Sequence, residues 1–364
     1  MPSPSRIAPL AQALSNANID VALLSSANMM GYAHGFFEDA HERLMLLAIR
    51  ADGQCCLIAP ALSGEQARRQ GIQEVRTWKD GESGLALFQQ LADEWEMRTS
   101  VIAVDNEMRA DILLQIQAAV PSAMFHPSDA LFGPVMARKD AEEIRKLEAA
   151  AAIVEKVYEA ILPTLKPGLT EAQIAGRLQG MVLERGASLN FCIVATGAAS
   201  AEPHHLSDNS VVKPGDVLLM DFGCQLDHYQ ADITRVVSMG PASAKVHEVY
   251  GIVRSAYLGA KAAVKPGATG AEVDQGARKV IEAAGYGDYF THRTGHGIGI
   301  RGHEAPNMSP DNDMPLEPGN TFSIEPGIYL PGDFGIRLEN IFACGEQDAH
   351  AINKKEFEER ILEL

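Results

Sequence analysis

Two segments of the chain recur in the same order. Leu165-Lys-Pro-Gly-Leu-Thr-Glu-Ala-Gln-Ile174 returns as Val264-Lys-Pro-Gly-Ala-Thr-Gly-Ala-Glu-Val273, and Val212-Lys-Pro-Gly-Asp-Val-Leu-Leu-Met-Asp-Phe-Gly223 returns as Leu316-Glu-Pro-Gly-Asn-Thr-Phe-Ser-Ile-Glu-Pro-Gly327. The offsets, 99 and 104 residues, are close enough for one duplicated helix–helix–strand unit. In the first segment Pro-Gly stops one helix, and Thr170 or Thr269 is placed to cap the next. In the second, a short apolar strand-like run ends on an acid, Asp221 or Glu325. The duplication thus demands two similar halves, with Glu325 standing where Asp221 stands in the first.

A carboxylate inside such a run costs on the order of several kcal/mol unless a positive group meets it. Val217 to Arg235 reads as a β-hairpin with a carboxylate on each arm. A turn centred between Leu226 and Asp227 sets Asp221 opposite Asp232, with Cβ atoms roughly 5 Å apart. Two anions that close need a shared proton or a cation. The second unit poses the same problem. Thr321 to Glu325 reads as a strand, Pro331-Gly332-Asp333 as a turn and Gly335 to Glu339 as the returning strand, which sets Glu325 opposite Glu339. Four buried carboxylates cannot all be neutralised by shared protons near neutral pH, and a pair of divalent cations is the economical solution. Oxygen ligands with one imidazole suit Mn²⁺, Co²⁺, Fe²⁺ or Zn²⁺. His296, in Thr294-Gly-His-Gly-Ile-Gly299, is the imidazole candidate, because its flanking glycines let the backbone approach closely. Two such ions about 3.5–4 Å apart would activate water and polarise a carbonyl, which is hydrolytic chemistry.

The rest of the chain fits an α/β protein of two domains, residues 1–132 and 133–364, within a length of 364 residues. In the first domain, helices are expected over 7–17, 63–70, 84–94 and 110–120, and strands over 19–26, 44–50, 54–59, 74–78 and 100–105. Ala27 to Phe36 reads as an apolar, aromatic loop, and Leu131-Phe-Gly-Pro134 as punctuation. A long helix is expected from about Arg138 to Leu162. A net charge of −17 argues against nucleic acid or an anionic membrane as partner. The five cysteines show no CxxC spacing and suit reduced thiols in a cytoplasmic protein. Met1 to Arg6 is followed by no apolar leader segment.

The ordered set Asp221, Asp232, His296, Glu325, Glu339 resembles the dinuclear metallopeptidases of the pita-bread fold. That family includes methionine aminopeptidase, Xaa-Pro aminopeptidase and Xaa-Pro dipeptidase (prolidase). Pro203-His204, Asp221-Phe-Gly, Asp232-Ile-Thr-Arg, Gly295-His-Gly-Ile-Gly-Ile-Arg-Gly-His303-Glu, Ile324-Glu-Pro-Gly and Arg337-Leu-Glu339 match as well. The first domain is similar to the creatinase-type N-terminal domain. The resemblance implies that Asp232 and Glu339 bridge both metals, that Asp221 completes one, and that His296 and Glu325 complete the other. It implies that Glu325 is also the general base, and that His204 and His303 bind substrate and stabilise the tetrahedral intermediate. His292 falls near the substrate site, and Arg337 and Tyr229 fall at positions that either face the substrate or orient the metal-binding carboxylates from behind. The implied substrate is a small peptide with proline second, and the implied assembly is a homodimer in which Asn28 to Phe36 approaches the partner's site.

One departure bears on specificity. Some dipeptidases of this family carry an arginine after the His-Glu-x-Pro segment to hold the substrate's terminal carboxylate. Asn307 stands there in this chain, with Arg301 or Arg337 as substitutes, so Xaa-Pro dipeptidase and Xaa-Pro aminopeptidase both remain open. An inactive, partner-binding relative on the same fold, and the metal-free creatinase chemistry, are disfavoured by the intact five-residue set. Asp-Phe-Gly without the other protein-kinase motifs does not make a kinase. The Gly295–Gly299 spacing does not make a dinucleotide fingerprint. His205 competes with His204 for its role. His228, His247 and His350 read as surface or packing residues.

Overall fold

The computed structural model describes residues 6–364, and Met1 to Ser5, read above for a leader, lie outside the described residues. The chain divides into two compact units between Val135 and Met136.

The N-terminal unit runs α1 (Ile7–Asn16), β1 (Val21–Leu24), α2 (Ala27–His34), β2 (Leu46–Arg50), β3 (Cys55–Pro60), α3 (Ala61–Arg69), β4 (Val75–Trp78), α4 (Gly84–Glu94), β5 (Val101–Val104), α5 (Ala110–Ala119), β6 (Met124–Pro127) and α6 (Asp129–Ala137). Its sheet has six strands in the order β4-β3-β2-β1-β5-β6. The meander β1–β2–β3 is antiparallel, and the outer pairings are parallel. Val21, Leu23, Leu46 and Ile58 of the sheet pack with Phe88, Leu91, Ile112 and Ile116 of α4 and α5.

Two expectations change here. Residues 27–34 are helical rather than a loop. Ser26 caps the helix by accepting from Met29 N at 3.2 Å, and Gly35 ends it in the left-handed conformation at φ 75°. Met29, Met30 and Phe36 are buried, so they are core of this chain rather than a free apolar strip. Pro134 sits inside α6 instead of breaking the chain there, because buried Phe132 and Met136 hold that helix in place.

The C-terminal unit begins with α7 (Ala141–Ile161) and α8 (Glu171–Leu183), then β7 (Ser188–Thr196), β8 (Val217–Leu226) and β9 (Tyr229–Ser238). Its second half runs α9 (Ala244–Ala263), α10 (Gly270–Ala283), β10 (Gly295–Gly297), β11 (Glu304–Met308), β12 (Thr321–Ile324), β13 (Gly327–Leu330), β14 (Phe334–Arg337), β15 (Asn340–Cys344), β16 (Ala349–Ala351) and β17 (Leu362–Glu363). The sheets are β17-β9-β8-β7, β11-β10-β12-β15-β16 and the pair β13-β14.

The duplication is visible bond by bond. Thr170 and Thr269 each form a capping box, with Gln173 and Glu272. Thr170 bridges to Val211, and Thr269 bridges to Pro315. Gly168 N donates to Val212 O, and Gly267 N donates to Leu316 O. Asp216 accepts from Lys213 N as Asn320 accepts from Glu317 N.

Strand periodicity then decides where the acids go. Leu218, Met220 and Phe222 of β8, with Ile233 and Val237 of β9, pack on Val154, Val157, Ile174 and Leu178 of α7 and α8. Asp221, Asp232 and Thr234 have the opposite parity and so project from the other face. In the second half Phe322, Ile324 and Ile336 join Val253, Val273 and Ala277 of α9 and α10, which leaves Ser323, Glu325 and Arg337 on the other parity.

The β8–β9 register corrects one expectation. Leu226 faces Tyr229 across a loop of Asp227 and His228, whose φ values are +47° and +70°. A two-residue turn with both φ positive matches the strand twist. Asp221 therefore faces Thr234 and Gly223 faces Asp232, so the two acids are diagonal neighbours rather than an opposed pair. Moving the turn by one residue shifts the pairing by two, which keeps every side chain on its face. Ile324 pairs with Asn340 and Gly327 with Arg337, so Glu325 and Glu339 lie in step between two paired stretches, as expected.

Candidate metal centre

Five side chains from the two repeats line one cavity of about 720 Å³: Asp221 from β8, Asp232 from β9, His296 from β10, Glu325 after β12 and Glu339 before β15. Ligand atoms of Asp232, His296 and Glu339 lie within 4.8 Å of one another. His296 Nε2 is 3.3 Å from Glu325 Oε1 and 3.8 Å from Asp232 Oδ2. Gly295 and Gly297 permit this placement, since a Cβ at either would collide with the carbonyl of Ser323 or Ala305.

The site is built for a cation it must be given. His296 Nδ1 lies 3.0 Å from Gly297 O, and a carbonyl only accepts, so Nδ1 carries the proton and Nε2 keeps its lone pair. Burial pushes the His296 pKa down to about 4, so the ring is neutral and turns a lone pair toward carboxylates. Asp221 Oδ1, Asp232 Oδ1 and Glu339 Oε1 are buried and have no hydrogen-bond partner among the described residues. Burial, then the neighbouring carboxylates, drives Asp232 and Glu339 well above the ordinary carboxylate range. Orphaned carboxylate oxygens around a neutral imidazole nitrogen are the donor set that divalent cations satisfy.

A second layer of bonds orients these groups. Arg337 Nη2 pairs with Asp221 Oδ2, its Nε donates to Thr234 Oγ1 at 3.0 Å, and its Nη1 donates to Tyr329 Oη at 2.8 Å. Thr234 in turn donates to Glu339 Oε2 at 2.7 Å, and Ser323 donates to Glu325 Oε1 at 2.9 Å. Burial disfavours the Arg337 charge, but Tyr329, Asp221 and Glu325 outweigh it and hold the guanidinium protonated.

Residues 145–346 match metallopeptidase family M24, and residues 6–135 match the creatinase/prolidase N-terminal domain. The chain belongs to metallopeptidase family M24. It is 34% identical to the Xaa-Pro dipeptidase of Lactobacillus helveticus over 345 residues, 92% of each chain. Its fold is similar to the crystal structure of a prolidase from Thermococcus sibiricus, with a TM-score of 0.95, 33% identity and full coverage of both chains. It is also similar to an X-Pro aminopeptidase from Thermotoga maritima, with a TM-score of 0.86, 33% identity, and coverage of 99% of this chain and 100% of that one.

In this M24 peptidase His204, His292, His303 and Arg337 join the four acids and the imidazole of His296 at the cavity wall. His204 lines the cavity, whereas His205 is turned away, with Nε2 2.7 Å from Glu171 Oε2. His303 stacks on His296 with ring centroids 3.8 Å apart, and its Nδ1 lies 3.2 Å from Arg293 Nη2. Arginine only donates, so Nδ1 accepts and the neutral His303 ring carries its proton on Nε2. Burial, followed by the neighbouring His296, holds the His303 pKa down at about 4. His292 Nδ1 donates to Arg293 O at 2.7 Å, so its Nε2 accepts from the Tyr329 hydroxyl at 2.8 Å.

Tyr229 is the expected site residue that does not reach the cavity. It stands at the hairpin tip, where the face alternation of β9 turns it from the acids, and its hydroxyl donates to Glu143 Oε1 at 2.9 Å. Thr234, Tyr329 and Arg293 were not read from the sequence. Thr234 was the findable one, because it shares strand parity with Asp232 inside a motif already singled out.

Proposed function

We propose that this M24 peptidase is an Mn²⁺-dependent Xaa-Pro dipeptidase that releases the N-terminal residue of small peptides with proline second. Residues 133–364 form its metallopeptidase domain and residues 1–132 the companion domain. Asp221, Asp232, His296, Glu325 and Glu339 would hold two divalent cations, which would supply the Lewis acidity to polarise the scissile carbonyl and acidify water. Glu325 takes the proton from the attacking water and delivers it to the leaving proline nitrogen. The Nε2–H of His303 donates to oxygen charge that develops on the substrate, and His204 holds the substrate beside it. His292 and Arg337 keep the substrate side in register, and Phe191 and Ile193 offer the proline ring an apolar wall.

The observation that carries the dipeptidase reading is Arg293. Arg337 is committed to Asp221, Thr234 and Tyr329, and Arg301 does not line the cavity. Arg293 lines it, half-buried, with Nη1 2.8 Å from Asn307 Oδ1. Asn307 therefore orients a guanidinium where the sequence pattern expects one, and Arg293 keeps donors for a terminal carboxylate. The likeness to an X-Pro aminopeptidase supports the second reading, action on longer peptides. The assay is hydrolysis of an Xaa-Pro dipeptide against an Xaa-Pro-Yaa tripeptide by Mn²⁺-loaded protein, with Asp232→Ala as control. Faster tripeptide turnover selects the aminopeptidase, and full activity after thorough chelation overturns both.

The five free cysteines support a cytoplasmic setting. The homodimer rests on family resemblance, and a scattering mass near 39.2 kDa, that of a single chain, would overturn it.

A further inference from the structure

The chain buries a second, separate ion pair whose stability value does not explain it. Lys139 Nζ meets Glu304 Oε1 with the two side chains 1% and 5% exposed. Removing both charges from water costs about as much as their attraction returns, and well-packed apolar replacements are often as stable. A buried pair is therefore weak evidence for a stabilising role, and its place in the chain points to a further one.

Glu304 follows His303 directly and opens β11 opposite Gly297. Its second carboxylate oxygen accepts from Arg301 N at 3.3 Å, and Gly299 N donates to Arg301 O at 3.0 Å. The segment 299–304 is thus folded around this one carboxylate. Gly299 shows how tightly, because a Cβ there would stand 2.5 Å from Glu304 Oε1 and 2.8 Å from Lys139 Cε. The lysine end is equally fixed, with Lys139 N donating to Gly319 O at 2.9 Å just before α7 begins. From the other repeat, Gln230 N donates to Gly299 O at 2.8 Å, and Gln230 Nε2 donates to Ile300 O at 3.0 Å. Among the described residues His303 has one hydrogen-bonding side chain, Arg293, and one stacked ring, His296. Its aim therefore depends on the backbone that Glu304 organises.

We propose that Lys139 is a positioning residue for His303, acting through its buried ion pair with Glu304. The proposal rests on the reading of His303 as the donor to developing substrate charge. A ring displaced by about 1 Å can cost up to ~100-fold in rate.

The test uses Mn²⁺-loaded protein and the apolar pair Lys139→Met with Glu304→Leu, followed by His303→Ala in both backgrounds. The expected result is a near-native melting temperature, kcat lower by ~10- to 100-fold with KM little changed, and no further loss when His303→Ala is added. Glu304→Gln, which keeps size and the acceptor for Arg301 N, is expected to lower kcat in the same sense. Native kcat in the apolar pair overturns the proposal. Losses that multiply with His303→Ala, or a pair variant that does not fold, assign Lys139 a general structural role and also overturn it. If His303→Ala alone leaves kcat intact in the native background, the reading of His303 fails instead, and the two failures are thereby told apart.

Discussion

The Asp221 carboxylate is paired with the guanidinium of Arg337, 116 residues along the chain and in the other repeat, and both side chains are buried. Arg337 reaches Asp221 directly and braces Glu339 through Thr234. Without metal ions it is the principal counter-charge. With them it is one of several. Arg337→Met should therefore cost the metal-free protein about 3–5 kcal/mol, the usual penalty for stranding half of a buried pair. Mn²⁺ should recover part of that loss. Urea unfolding with and without Mn²⁺ measures both, and an equal loss in the two states would refute the idea.

Tyr329 joins two parts of the site, accepting from Arg337 and donating to His292. Burial pushes its pKa up to about 12, so it stays protonated and able to donate at any working pH. Tyr329→Phe leaves a buried guanidinium N–H without its acceptor, which should cost about 1–3 kcal/mol. It also removes the donor to His292 Nε2, so the nitrogen shift of that ring should move in ¹⁵N NMR. An unchanged His292 signal would mean that the hydroxyl does not donate to that nitrogen.

The site was legible in the sequence because strand parity tolerates an error in register. Moving the β8–β9 turn by one residue changed the partners of Asp221 and Asp232 but not their face, and face alone brings them to the cavity. The groups that were not legible depend on facts outside local pattern. Tyr329 belongs to the site because β13 and β14 pair beside Arg337, and Arg293 because its side chain turns to His303 and Asn307. Tyr229 shows the converse, an aromatic in a matching motif whose position at a hairpin tip takes it elsewhere. In the N-terminal unit Ser26 and Gly35 were the missed signals, a cap and a stop around a run whose apolar content read as loop.

Arg293 provides the clearest test of specificity. A guanidinium that meets a substrate carboxylate contributes about 1.5–3 kcal/mol, or ~10- to 100-fold. Arg293→Met should lower kcat/KM on an Xaa-Pro dipeptide by that factor, chiefly through KM, and spare an Xaa-Pro-Yaa tripeptide whose terminus lies one residue further out. Equal losses on both substrates would mean that Arg293 acts by holding His303 rather than by reading the terminus.

Metal binding and protonation compete at the acids. Asp232 and Glu339 are held well above the carboxylate range in the metal-free protein, by burial first and then by neighbouring anions. They remain protonated in the fold at pH values where the unfolded chain has lost those protons. Stability of the metal-free protein that these groups supply is therefore full below the unfolded carboxylate pKa and falls as pH rises through the folded values. Divalent cations bind only the deprotonated acids, so loading must release protons and tighten as pH rises through the same window. Calorimetric titration with Mn²⁺ in two buffers of different ionisation enthalpy counts those protons. The expected outcome is net release together with a melting temperature that falls with pH without metal and is held up with it. Binding that is independent of pH, with no proton released, would mean that the orphaned oxygens of Asp232 and Glu339 are not the ligands.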